Sequence, residues 1–106
     1  MSKVFIINNS GHDYRMAKKF GTLVFLTSGK VASYAVNKYY RIILDTLKEA
    51  TADDYILVTS LASLNLISGW ILGHLKLPLN ILLYKDGDYI KRILTPELIE
   101  EVINDS

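Results

Sequence analysis

The chain has 106 residues, 50% of them hydrophobic and 22% charged, which is the length and balance of one globular domain with its own core. It contains no cysteine, so a disulfide framework, a thiolate nucleophile and a cysteine-ligated zinc site are excluded together. Twelve basic and eleven acidic side chains leave a formal charge of +1, without the concentrated basic surplus that duplex nucleic-acid binding draws on.

Lys3 to Asn8 is a continuous apolar, β-branched run, suited to a central strand covered on both faces. It stops too soon for a signal-peptide core with a cleavage site, so a cytoplasmic location is expected. Asn8-Asn9-Ser10-Gly11-His12 is loop chemistry. Asp13 can cap a short helix ending at Gly21, with Met16, Ala17 and Phe20 on one side. Thr22 to Thr27 reads as the second strand, closed by Ser28-Gly29-Lys30.

In the next segment Val36, Tyr40, Ile43, Leu44 and Leu47 fall on one face of a 3.6-residue period, with Ser33 as the expected cap. Tyr39 lies off that face and reads as an amphipathic ring at a helix edge, the alternative being an exposed ring that stacks a base or meets a second subunit. Asp53-Asp54 turns the chain into a third strand, Tyr55 to Thr59. Leu61 to Leu75 is apolar nearly all round, which predicts a helix packed on more than one side. The apolar stretch to Leu79 is interrupted by Ser63, Asn65, Ser68, Gly69, Gly73, His74 and Lys76, so no membrane span is expected. Gly69 and Gly73, four apart, suit a helix lying flat on a sheet or meeting a second subunit.

Leu79 to Tyr84 is a fourth strand. Asp86-Gly87 is a two-residue hairpin signal, and Tyr89 to Leu94 returns antiparallel. Thr95-Pro96-Glu97 opens a last helix with a hydroxyl cap, Pro at the first helical position and an acid near the positive end. Leu98, Val102 and Ile103 are expected to dock it. The order βαβαβαββα predicts a single α/β domain over residues 1–106. Its expected form is a Rossmann-like or flavodoxin-like three-layer sandwich: a mostly parallel sheet of order 2-1-3-4-5 with an antiparallel edge hairpin.

In such sheets ligands bind beyond the carboxyl ends of the strands, where the winding reverses, here between strands 1 and 3. The loops predicted there bring Asn9, Ser10, Gly11 and His12 after strand 1, Thr27, Ser28 and Lys30 after strand 2, and Thr59 and Ser60 after strand 3. Hydroxyls, glycines and helix N-termini suit phosphate oxygens. Strand-to-helix loops also need Ser, Thr, Asn and Gly as caps and turn formers, so these residues have a structural reading of equal standing.

No Gly-x-Gly-x-x-Gly follows strand 1, Ser28-Gly29-Lys30 lacks the glycine spacing of a Walker loop, and Ser60 lacks the glycines of a nucleophile elbow. His12 is the candidate for proton transfer. His74, late in the third helix, is expected to serve the helix end. Two histidines so far apart have no metal-ligand spacing, so neither a metal nor a cofactor is predicted.

The stretches Val-Phe-Ile-Ile-Asn-Asn-Ser-Gly-His-Asp-Tyr, Leu-Val-Phe-Leu-Thr and Asp-Asp-Tyr-Ile-Leu-Val-Thr resemble small uncharacterised proteins of tailed phages. That resemblance implies a bacterial or phage cytoplasm and carries no activity. By architecture alone the chain is also similar to small Rossmann-like domains that sense cyclic oligonucleotides in bacterial defence, an analogy that transfers no residue roles.

The leading expectation is therefore a module binding a nucleotide or other phosphate-bearing ligand at the rim. Interference with host nucleotide signalling is the role expected of such a module if it is phage-encoded. If the site is catalytic, His12 acts as acid or base in phosphoryl or phosphodiester chemistry. The alternative is a noncatalytic oligomeric interaction factor using the edge hairpin or the glycine flank of the third helix. A homodimer is expected, because so apolar a third helix leaves surface to hide.

Overall fold

Four apolar runs and one hairpin return become the five strands of a single sheet in the computed structural model, which describes residues 2–105. They are β1 (Lys3–Ile6), β2 (Thr22–Phe25), β3 (Tyr55–Leu57), β4 (Leu79–Lys85) and β5 (Asp88–Leu94), in the spatial order β2-β1-β3-β4-β5. β1 pairs in parallel with β2 and β3, β3 in parallel with β4, and β4 antiparallel with β5. This is the α/β architecture that the alternation of elements predicts. Asp86 and Gly87 both take positive φ, 52° and 83°, the pair of left-handed residues that a type I′ turn demands.

The continuous apolar run of β1 is explained by cover on both faces. Phe5 and Ile7 face the helices α1 (Val36–Leu47) and α2 (Ala62–His74), in a core with Tyr39, Ile43, Leu47, Leu64, Ile67, Ile71 and Leu72. Val4 and Ile6 face the other way, against Tyr14, Ala17, Leu57, Leu82 and Tyr89. The cover on that second face is a single 3-10 helix, Arg15–Phe20. Below the sheet, buried Asn80 donates to the Ala52 and Asp54 carbonyls (both 2.9 Å), and the Asp54 carboxylate accepts from the Lys3 and Thr51 amides. These bonds pin the turn before β3 between β1 and β4.

Four local expectations are corrected. The short first helix is 3-10, with Tyr14 at its N-cap; Asp13 stands one residue earlier and accepts from the Arg15 amide at 3.0 Å, as an Asx turn. Ser33 does not cap α1, whose N-cap Ala35 makes no side-chain bond; the Ser33 carbonyl instead accepts from Ser63 Oγ at 2.6 Å, tying the loop to α2. On α1 the ring that goes inward is Tyr39, 8% exposed, while Tyr40 is 36% exposed. The two tyrosines flank the apolar stripe on either side, and docking against α2 and the sheet selects the first.

The fourth correction concerns the apolar surface. α2 is covered on one side only, so Leu66 and Trp70 stand 74% and 76% exposed. Helix α3 (Pro96–Asn104) buries none of its residues, and Leu98, Ile99, Val102 and Ile103 all lie open to solvent. Thr95 does cap it, accepting from the Leu98 amide at 3.2 Å, and Pro96 opens it as expected. Among the described residues no helix is long and apolar enough to cross a membrane.

Candidate functional site

The chain winds outward from β1 to β2 and then back across to β3, so the loops leaving the carboxyl ends of β1 and β3 part in opposite directions. A cavity of about 470 Å³ opens at that parting. Leu57 and Val58 of β3 and its extension line it, and Ser10, His12, Asp13 and Tyr14 contribute from the loop after β1. Thr59 and Ser60 bound it at the approach to α2, and Tyr84 and Tyr89 of the hairpin close the remaining side.

Each part is held by identifiable bonds. Tyr14 Oη donates its one proton to the Asn8 carbonyl at 3.2 Å, so Ser10 Oγ, also 3.2 Å away, is the donor to Tyr14. The lone pairs of Ser10 are left for other partners. Asn65 clamps the turn after β3 by accepting from the Thr59 amide (3.4 Å) and donating to the Thr59 carbonyl (2.7 Å). Thr59 Oγ1 accepts from the Leu61 amide, and Ser60 stands exposed ahead of α2. Tyr84 and Tyr89 are cross-strand partners whose rings meet edge to face at 5.6 Å.

The charges are locally settled. The Arg15 guanidinium grips both oxygens of Asp13 at 2.8–3.0 Å, and these bonds hold the Asp13 carboxyl down to about 2. Asp13 is thereby engaged with Arg15 and not with His12, which lies exposed at the mouth with its ring edge-on to Tyr14 at 6.3 Å. Burial pushes the Tyr89 phenol up, and the neighbouring Tyr14, Tyr84 and Asp13 add to that, so Tyr89 stays a protonated donor. The lining is rich in hydroxyls and aromatic rings. No lysine contributes to it.

Of the residues singled out from sequence, Ser10, His12, Thr59 and Ser60 come together around this cavity, whereas Asn9, Gly11, Thr27, Ser28 and Lys30 are outside its lining. The latter group mostly joins the tails of β1 and β2. Asn9 N donates to the Thr27 carbonyl (2.9 Å) and Gly29 N to the Asn9 carbonyl (3.2 Å), forming a parallel bridge of Asn9 with Ser28. Buried Asn8 donates to the Gly29 carbonyl at 3.0 Å. Thr27 Oγ1 shares its proton between the Ile7 carbonyl (2.7 Å) and Asn8 Oδ1 (2.9 Å). Gly11 sits at φ +89°, its amide reaching Asn9 Oδ1 at 3.4 Å, and Lys30 is exposed on the loop after β2.

Sequence reasoning missed Tyr14, Tyr84 and Tyr89. A signal existed for the last two: they flank the Asp86-Gly87 turn symmetrically, and period-two alternation from buried Leu82 puts them on one face. A wider but shallower depression of about 720 Å³ lies at the opposite end of the sheet, beside Lys18, Lys19, Phe20 and Gly21. It is open to solvent, away from the winding reversal, and its Lys19 is already paired with Asp88 at 2.8 Å. The cavity at the reversal is the better candidate on all three counts. Among the described residues no three His, Cys, Asp or Glu side chains group as metal ligands.

The family model described as Phage Pam3 gp32-like protein matches residues 2–93, which span the sheet up to the last residue but one of β5. The likeness to tailed-phage proteins seen in the opening strands stands in that match. No curated protein and no solved structure matches the chain.

Proposed function

The chain belongs to the Phage Pam3 gp32-like protein family, and for this family member we propose a small-ligand-binding module that takes a nucleoside or nucleotide in the tyrosine-walled cavity. The observation that carries the reading is the combination of place and lining. A cavity of ligand size sits at the winding reversal, with aromatic rings on one side and hydroxyls on the other. A planar base lies against Tyr84 and Tyr89, where stacking contributes about 1–3 kcal/mol per base. Ribose and phosphate oxygens meet Ser10 and Ser60, the latter close to the positive end of α2.

This shifts the weight of recognition from phosphate to ring. Lys30 is outside the lining and Arg15 is engaged by Asp13, so charge contributes less than the sequence alone suggests. In this reading His12 contacts the ligand at the mouth, and phosphodiester turnover would fall to it as acid or base. Interference with host nucleotide signalling is the biological role proposed for a phage-family protein with such a site.

Titration calorimetry with adenosine, AMP, ATP and their pyrimidine counterparts tests the reading. Tyr84→Ala should weaken binding about 5–150-fold, as loss of one stacked ring implies, while Lys30→Ala leaves it within about twofold. Absence of binding by all of these probes, or equal effects of the two substitutions, would overturn it. A second reading, an oligomeric interaction factor, is favoured by a different observation, the exposed Leu66 and Trp70 of α2. The two readings concern different surfaces and are compatible.

A further inference from the structure

The α1/α2 face of the sheet is covered over β1 and β3, only partly covered at Leu79 and Ile81 of β4, and exposed over Arg92 and Leu94 of β5. Beside α2 this leaves an apolar groove of about 400 Å³, lined by Val58, Leu66, Gly69, Leu79 and Ile81 among others. Gly69 keeps the wall low: a Cβ there would be 3.9 Å from the Leu79 side chain, an ordinary contact. Antiparallel pairing sets Leu83 beside Ile90 and Ile81 beside Arg92, so the same face continues across β5. The Arg92 guanidinium bonds the Lys91 carbonyl at 2.8 Å and pairs with no carboxylate among the described residues.

Helix α3 has the complementary character. Leu98, Ile99, Val102 and Ile103 form one apolar face, and Glu97, Glu100 and Glu101 occupy the other. Residues 96–106 carry four acidic and no basic side chains, whereas residues 1–95 carry twelve basic and seven acidic ones. A lone helix of 9 residues is unstable in water, so α3 needs a surface to pack on. Its own groove is out of easy reach. Only Thr95 separates β5 from α3, and a strand-to-helix reversal onto the same sheet ordinarily takes about 2–6 residues.

We propose that two copies of the chain pair by exchanging α3, each acidic amphipathic helix lying in the apolar groove between α2 and β4 of the other copy. The contact is isologous and made twice, so each helix and groove need supply only about half of the roughly 1,600 Å² buried in a stable interface. The exposed Leu66 and Trp70 flank the docked helix, and Arg92 meets its glutamates at the rim. Val58 borders both this surface and the tyrosine-walled cavity, which share no other lining residue, and the pairing stands or falls independently of what that cavity binds.

Because the chain has no cysteine, the contact can be read by introduced disulfides. Gly69→Cys and Ile99→Cys full-length proteins, mixed and oxidised, should give a dimer joined through positions 69 and 99, identified by peptide mass. Light scattering should show the unsubstituted protein dimeric by about 100 µM. Ile99→Glu and Leu66→Glu should each raise the dissociation constant at least about 100-fold, since each buries two unpaired carboxylates per dimer. Ile99 and Leu66 are exposed in the single chain, so a retained cooperative melting transition, with no more helicity lost than α3 contributes, separates lost pairing from lost folding. A monomer throughout the concentration range overturns the proposal. So does a dimer indifferent to both substitutions, or a 69–99 disulfide formed within a single doubly substituted chain.

Discussion

Asn8 tests whether the β1 and β2 tails are joined as a structural staple or merely approach each other at a binding rim. Its side chain is 6% exposed and holds the Gly29 carbonyl at 3.0 Å and the Thr27 hydroxyl at 2.9 Å. Asn8→Ala removes both. The bond to Gly29 is worth about 1 kcal/mol net, and the bond from Thr27 about half as much, because its proton has the Ile7 carbonyl as a second acceptor. The sum, about 1.5 kcal/mol, corresponds to a fall in melting temperature of about 6–12 °C for a domain of this size. Amide exchange at Asn9 and Gly29 should rise with it, since their backbone bonds continue the staple. Asn9→Ala is the control. That side chain is exposed and loses only the 3.4 Å contact to the Gly11 amide, so a change of less than about 0.5 kcal/mol is expected. A melting point for Asn8→Ala within about 2 °C of the parent, or matched by Asn9→Ala, would refute the staple.

Gly21→Ala should destabilise the fold by about 1–3 kcal/mol in a denaturant titration, because the added Cβ would clash with the Ser2 carbonyl oxygen that accepts from the Thr22 amide. Lys76 turns the chain after α2 at φ +62°, where a side chain is strained; Lys76→Gly should stabilise by about 0.5–1 kcal/mol, once the greater freedom of the unfolded glycine is set against the relief. Asp13 should titrate by carbon-detected NMR near 2, and Arg15→Ala should return it to the ordinary carboxylate range. Its folded pKa lies below the unfolded one, so the unfolded state binds more protons between about pH 4 and 2. The stability from this pair is therefore complete above that window and lost as pH falls through it.

Much of the architecture was legible because it is written in local signals. Strand-length apolar runs, Asp86-Gly87 at a two-residue turn and Thr95-Pro96 at a helix start each act within a few residues, and the observed elements follow them. Strand order followed from alternation, since short connections and right-handed crossovers leave few ways to lay the strands down. The place of the cavity came from the same logic, and Ser10, His12, Thr59 and Ser60 are there. Three decisions belonged to tertiary structure alone. Tyr14 meets Tyr89 across 75 positions of sequence only because the hairpin folds over the 3-10 side of the sheet, which no periodicity within either segment encodes. Tyr39 rather than Tyr40 turns inward because α1 docks on a particular neighbour. α3 carries an apolar face yet buries none of it, since amphipathicity states that a helix has something to cover and only the length of the connection, a single Thr95, determines what it can reach.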